Sequence, residues 1–343
     1  MLERLSNSFL VAVHALFAPL KLAAGRQIPE LSASGRSGAT PDDPPPATGE
    51  PSHLRAVFQA LLVTFLWSTS WVLIKIGLQD IPALPFAGLR YMLAFVCLLP
   101  FALCSRQLAP RRPLSRGTWA RLITLGLLFY AVTQGAQFVS LFYLPALTTS
   151  LLLSFTAVFV ALLGIFLLGE RPTVLQWGGS GLYLIGVGVY FYPLSLPGTE
   201  MIGLIAAGLG VLANALSSIL GRHVNRARDL EPMLVTVVSM GSGAVVLLVF
   251  GVLVQGWPRL TLTNWALIIW LAVVNSAFAF TLWNRTLRTL SALESSIINN
   301  TMLFQIAILA WVCLGERLAW REVVGMVLAG LGTLIVQIHK RQE

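Results

Sequence analysis

Polar positions in this chain are confined to short intervals between long apolar runs, and the spacing of those intervals predicts its elements. From residue 56 onward the runs fall at roughly 56–78, 84–104, 118–143, 146–168, 174–193, 201–222, 232–254, 264–284, 292–314 and 321–338. Each is close to the about 20 residues a helix needs to cross the hydrocarbon core of a bilayer. No stretch alternates polar and apolar positions over the about ten residues of a membrane-spanning strand. Backbone polar groups in lipid must be satisfied within their own segment, so the runs are predicted to be helices.

The pattern occurs twice. Residues 146–173 (ALTTSLLLSFTAVFVALLGIFLLGERPT) align without a gap on 292–319 (ALESSIINNTMLFQIAILAWVCLGERLA), at an offset of 146 that continues on both sides. Leu141, Leu144, Ala146, Leu147, Ser150, Ala161, Leu168, Gly169, Glu170, Arg171, Gly179, Leu182 and Gly186 all meet identical residues. Apolar composition alone matches Leu with Leu, but it does not also align Gly-Glu-Arg at a helix end and two later glycines. The chain is therefore read as a duplication. Its halves are residues 55–193 and 199–338, with a tail at 339–343.

Composition and charge then fix the class and the orientation. With 343 residues, 56% hydrophobic, 11% charged and a mean hydropathy of +0.79, the chain is too apolar for a water-soluble domain. The net charge of +9 is not a nucleic-acid signal, because its distribution follows the positive-inside rule. A cytoplasmic N-terminus puts Arg106, Arg111, Arg112, Arg116, Arg121, Arg171, Arg222, Arg226, Arg228, Arg285, Arg288, Lys340 and Arg341 inside. Only Arg259, Arg317 and Arg321 are then outside. Five spans per half is an odd number, so the second half enters the membrane from the opposite side and the repeat is inverted, as in many transporters. Trp119 and Trp177 fall at inner ends and Trp257, Trp265 and Trp320 at outer ends, where an aromatic belt belongs.

Residues 1–54 stand apart as an extension and linker. The apolar stretch 9–20 is short, broken by His14 and Pro19, and residues 30–52 are rich in Pro, Ser, Gly and Asp. Lys21 sits where small neutral residues lead to the cleavage site of a secretory signal, so a mobile tail is expected instead. Cys97, Cys104 and Cys313 all lie within spans, and the first two are too far apart along one helix for a disulfide.

The chemistry within the spans is sparse. Titratable residues inside a membrane are functional candidates by default, and Lys75 and Arg90 are the only basic ones well inside a run. No Asp and no His lies in a span, and Glu294 and Glu322 sit only at the mouths of theirs. Metal sites, a Ser-His-Asp constellation and a phosphate-binding Gly-Lys-Ser/Thr loop have no visible parts, so no enzyme, no metal, no cofactor and no ATP drive are expected. Energy coupling through a buried carboxylate is not expected either, with Glu294 the acid best placed to provide one.

Polar and aromatic residues instead gather on helix faces. Trp67, Trp71 and Lys75 follow at i, i+4 and i+8, with Ser68 and Thr64 beside them. Tyr130, Gln134, Gln137, Ser150, Ser154, Asn214, Ser217, Ser218, Asn275, Ser276, Phe280, Trp283, Asn284, Ser296, Asn299 and Asn300 extend the set. The substrate-binding candidates are Trp67, Ser68, Trp71, Lys75, Tyr130, Gln134, Gln137, Ser154, Asn214, Asn275, Trp283, Asn299 and Asn300. Any one Ser, Thr or Asn equally serves as interhelical hydrogen-bond glue. Unpaired amides in hydrocarbon are costly, however, so the Gln and Asn residues should face the bundle interior or a wet cavity. Lys75 either holds an anionic group of the substrate, or snorkels to the headgroups or pairs with Asp80. Arg90 is expected to be structural, extending its head to the interface. Glu170 and Glu316 are expected to cap and pair locally at helix ends.

The doubled Gly-Glu-Arg ends, Lys75 in LWSTSWVLIKIGL, Arg90 in PFAGLRYMLAF and the two five-helix repeats resemble the drug/metabolite transporter superfamily, in particular the EamA-type exporters with ten helices. The likeness covers about residues 56–338. It implies an all-α membrane protein of ten spans in two inverted five-helix repeats. The implied function is secondary-active export of small organic metabolites by alternating access through a central cavity, in the cell (inner) membrane, with cytoplasmic termini. The expected partners are a small-molecule substrate and the lipid bilayer, with no nucleic acid, and the chain is expected to act as a monomer. A membrane ligand sensor or scaffold that binds without transport is the alternative. The resemblance also makes the glycine-rich helices five and ten a scaffold. In one respect the chain departs from the family, which often has Glu-Pro midway along helices four and nine. Here Phe155-Thr156 stands in the first copy and no proline in the second, which puts the helix break there in question.

Overall fold

The computed structural model describes residues 50–104, 114–168, 173–192, 198–226, 230–287, 289–290 and 292–338. The extension through residue 49, the Gly-Glu-Arg at 169–171, and the tail lie outside the described residues, as do the side chains of Asn284 and Ser296. All regular structure among the described residues is helical. The first half contains α1 (Glu50–Gly77), α2 (Ala83–Cys104), α3 (Arg116–Gly126 and Gln134–Tyr143, joined by the π-helical Leu127–Thr133), α4 (Ala146–Ser154 and Thr156–Leu168) and α5 (Val174–Phe191). The second contains α6 (Gly198–Arg226), α7 (Pro232–Gln255), α8 (Leu262–Ala272 and Ala279–Thr286, joined by the π-helical Val273–Phe278), α9 (Ala292–Leu314) and α10 (Trp320–Ile338).

Eight of these, α1 to α4 and α6 to α9, are long and apolar enough to cross a membrane. The other two, α5 and α10, have 18 and 19 residues. Large apolar side chains such as Phe101, Ile205, Leu253 and Trp311 stay exposed on the bundle's outside, a surface suited to lipid rather than water. At its start α1 extends beyond its apolar run to Glu50, and there His53 Nε2 meets Glu294 Oε1 of α9 at 2.9 Å.

The duplication reaches the level of caps and helix defects. Ser115 and Thr261, 146 positions apart, accept hydrogen bonds from the amides of Thr118 at 3.1 Å and Asn264 at 3.2 Å and so start α3 and α8. Gln176 and Glu322, equally spaced, reach back to the amides of Thr173 at 3.0 Å and Ala319 at 2.8 Å. The two π-helical segments begin at Leu127 and Val273, again corresponding positions.

The most extensive helix pairing joins α5 to α10, and glycine is what allows it. A Cβ on Gly186 would lie 2.5 Å from Ala329 N and 2.6 Å from Gly325 O, and one on Gly332 would lie 2.5 Å from Tyr183 N. Gly179 faces Gly332 while Gly186 faces Gly325, so each glycine of one repeat meets the other member of the duplicated pair. Reciprocal contacts of this kind follow from a two-fold relation between the halves. Backbones brought this close gain dispersion contacts that larger side chains would prevent.

The helix break that the missing proline put in question is present in the first copy and absent from the second. Phe155 interrupts α4, with its amide bonding the Leu152 carbonyl at 3.1 Å in a tightened turn. The hydroxyls on either side donate to the main chain, Ser154 to Leu151 O at 2.7 Å and Thr156 to Leu153 O at 2.8 Å. Such back-bonding competes with the helical ladder and bends it. At the corresponding Thr301, α9 runs through unbroken.

Candidate functional site

A cavity of about 590 Å³, ample for a small organic molecule, lies between the repeats. Its walls come from α1 (Trp67, Ser70, Trp71), α2 (Arg90, Tyr91) and α3 (Phe129, Thr133, Gln134, Gln137), and from Ser150 to Ala161 on α4. Asn214, Ser218 and Arg222 of α6, Phe280 of α8, Asn299 and Asn300 of α9 and Thr333 of α10 complete it. Toward one end of the bundle the lining reaches Arg222, Gln176 and Val336, each within a few residues of a helix end. That is the end where α1 begins and α10 finishes. In the other direction it stops at Trp71 and Ser150, and beyond Ser150 the side chains of Leu147, Thr148 and Thr149 are buried, which closes that end.

The closed end has its own chemistry. Lys75 Nζ donates to the carbonyls of Leu141 at 2.6 Å and Leu144 at 2.7 Å, at the C-terminus of α3. Across the repeat boundary, the Glu316 carboxylate accepts from the amides of Ala146 at 2.8 Å and Leu147 at 3.3 Å, at the N-terminus of α4. A cation on the last carbonyls of one helix and an anion on the first amides of the next both complement the helix dipoles. Together they fix the α3–α4 corner beyond the cavity's blind end. The expected capping by Glu316 thus occurs, but on a helix of the other repeat.

At the cavity wall, Arg90 is 4% exposed and does not extend to the interface as expected. Its Nε donates to Ser276 Oγ at 3.1 Å, and the guanidinium carbon lies 5.2 Å from the centre of the Tyr91 ring. Ser276 belongs to the π-helical segment of α8, where its hydroxyl donates to Leu271 O, five residues back, at 3.0 Å. Tyr91 donates to Gln134 Oε1 at 2.6 Å, which leaves the Gln134 NH2 group as a donor. No described acidic residue lines the cavity.

Eight of the thirteen candidate residues line this space: Trp67, Trp71, Gln134, Gln137, Ser154, Asn214, Asn299 and Asn300. The other five lie outside the lining. The Ser68 hydroxyl is 2.8 Å from Thr64 O and 3.0 Å from Gln305 Oε1, tying α1 to α9. Asn275 Nδ2 donates to Leu66 O and to Thr69 Oγ1, tying α8 to α1. Trp283 packs on Trp67 with ring centres 5.3 Å apart, and Tyr130 is buried against Tyr91 at 5.5 Å. Lys75 is held at the corner. Sequence reasoning passed over Arg90 as a cavity residue and did not select Arg222. The latter carries a readable signal, because Asn214, Ser218 and Arg222 repeat the i, i+4, i+8 spacing of Trp67, Trp71 and Lys75.

The relatives of this chain carry transport names. The uncharacterized transporter YoaV of Bacillus subtilis is 25% identical over 289 residues, 81% of this chain and 95% of that protein. The "Probable amino-acid metabolite efflux pump" of Salmonella typhimurium is 28% identical over 300 residues, 81% of this chain and 93% of its own length. The S-adenosylmethionine/S-adenosylhomocysteine transporter of Chlamydia trachomatis is 25% identical over 277 residues, 76% and 82% of the two chains. A solved crystal structure shares the fold with a TM-score of 0.60 at 18% identity, covering 86% of this chain and 99% of its own. The EamA-like transporter family model matches twice, at residues 54–192 and 201–338, so that both repeats carry it and the chain belongs to the EamA-like transporter family.

Proposed function

We propose that this protein is a secondary-active exporter of small organic metabolites. In this reading it crosses the cell (inner) membrane ten times, as two five-helix repeats at 55–193 and 199–338, with both termini cytoplasmic. It acts as a monomer by alternating access, and the cavity between the repeats is the substrate site. Trp67, Trp71, Gln134, Gln137, Ser154, Asn214, Asn299 and Asn300 are the residues of that site. The observation that carries the reading is the one-sided cavity. Its lining is drawn from both repeats and reaches one end of the bundle, while Lys75 and Glu316 hold the helices together beyond the other. A site reachable from one side, between halves related by an inverted repeat, is one state of a rocking transporter. The names of the relatives, which include efflux pumps, favour export and metabolite-sized cargo.

Counterflow in liposomes tests the proposal. Vesicles holding the purified full chain and preloaded with an unlabelled metabolite should accumulate its labelled form above protein-free vesicles. Saturable binding of that metabolite to the protein with no counterflow would overturn the transport reading.

A further inference from the structure

We propose that Arg90 anchors a carboxylate, and that the cavity selects organic acids over organic amines of the same shape. The inference rests on the reading of the cavity as the substrate site, and it names the class of molecule. Arg90 is 4% exposed, yet no carboxylate of a described residue faces it, and the single ion pair recorded among those residues joins His53 to Glu294. An unpaired charge inside a membrane protein is costly and persists where a function needs it. Binding of an anion removes that cost.

The geometry also states how the anion is held. Ser276 occupies Nε, which fixes the side chain and leaves the two terminal nitrogens with no hydrogen bond among the described residues. Those two nitrogens form the end-on fork that matches the two oxygens of a carboxylate. The Gln134 NH2 group, oriented by Tyr91, adds a third donor on the same wall. At the open end Arg222 gives an entering anion its first favourable contact, so both formal charges lining the cavity are positive. Trp67 and Trp71 offer aromatic surface for the body of the ligand. An ammonium group, by contrast, meets no described carboxylate in this space.

The test uses the full-length purified protein and three matched pairs of probes: phenylacetate and phenethylamine, indole-3-acetate and tryptamine, octanoate and octylamine. Binding is read by calorimetry, so it does not depend on flux. At least one acid should bind saturably, about tenfold or more tighter than its amine, the difference expected from charge-assisted hydrogen bonds. Arg90→Met should abolish that preference, with the loss falling on acid affinity. Arg90→Lys, which keeps the charge and loses the fork, should weaken the acid about tenfold and decides the matter if the methionine variant does not fold. Saturable binding by none of the acids, tighter binding of the amines, or unchanged acid affinity in the lysine variant would each overturn the inference. Acid binding without counterflow would sink the transport reading and leave this one standing.

Discussion

In the α5–α10 pair, Gly179, Leu182 and Gly186 of the first repeat correspond to Gly325, Leu328 and Gly332 of the second, and the four glycines pack reciprocally. Around the cavity, Trp67, Trp71, Arg90 and Gln134 correspond instead to Ala213, Ser217, Thr236 and Phe280. Contacts between repeats have a symmetric task, since each half must present the same surface to the other. The lining has an asymmetric one, because a small ligand without two-fold symmetry needs its charged, polar and apolar partners in different places. The difference separates residues that hold the halves together from residues that act on what lies between them.

Three substitutions sharpen that comparison, and the largest effect belongs to the symmetric region. Gly186→Ala places a methyl 2.5 Å from a backbone nitrogen and 2.6 Å from a backbone oxygen, where no side-chain rotation gives relief. Forcing the helices apart should cost about 2–3 kcal/mol and lower the thermal midpoint and the yield in detergent. Gly188→Ala, with nothing within 4 Å of the added atom, is the matched control on the same helix and should change stability little. Ala is the better helix former, so a loss confined to Gly186→Ala reports close approach, and equal stability in the two variants would show that close approach does not set the role of these glycines.

The middle effect concerns the two ends of the bundle. Lys75 has no counterpart in the second repeat, where Gly221 occupies its position. Lys75→Met frees two carbonyls at the end of α3 and should shift the balance toward the state open at that end. A shift of about 1–3 kcal/mol corresponds to roughly 5- to 150-fold in the ratio of states. Measurement uses a cysteine replacing Ser150 in a background without Cys97, Cys104 and Cys313, and an impermeant thiol reagent added outside. Labelling should be slow with Lys75 and fast with the methionine variant. Slow labelling in both would mean that the corner does not control access.

How far the sequence discloses these regions depends on whether a feature is local. The spans, the duplication and the scaffold glycines are visible because periodicity and offset are properties of one chain segment at a time. Trp67 and Trp71 line the cavity, and a single helix face suffices to group them in the sequence. Lys75 shares that face, but its partners are carbonyls 66 and 69 positions away, which no periodicity displays. Arg90 looks like a snorkelling residue when its distance from the helix end is counted. Two features outside α2 change this: tight packing on α7, where a Cβ on Gly88 would lie 2.5 Å from Leu248 Cα, and the π-helical segment that brings Ser276 to its Nε. Neither LLFYAVT nor VVNSAF contains a glycine or proline to announce a π-helical segment.

The smallest effect on stability, and the one most specific to mechanism, is expected in α4. Its break lies between two hydroxyls that donate to main-chain carbonyls, and Asn214 Nδ2 of α6 donates to Thr156 Oγ1 at 3.3 Å. In α9 the residues matching Ser154 and Thr156 are Asn300 and Met302, and Thr301 returns a hydroxyl to Ile298 O at 2.6 Å. The bond in α9 leaves that helix continuous, whereas α4 is interrupted between its two bonds. If α4 flexes at Phe155 as the cavity changes sides, then Ser154→Ala combined with Thr156→Val should straighten it and slow counterflow severalfold. Removing back-bonds costs an exposed or cavity-facing helix little, so the thermal midpoint should move by less than about 1 kcal/mol equivalent. Tyr183 is not orphaned by the change, since its hydroxyl also donates to Leu151 O at 2.6 Å. The matched variant is Thr301→Val, which alters a helix already continuous and should leave the counterflow rate near that of the parent. Equal slowing by the α4 and α9 variants would place the flexing elsewhere. Unchanged counterflow in the α4 variant would make the break a fixed bend that only shapes the cavity wall.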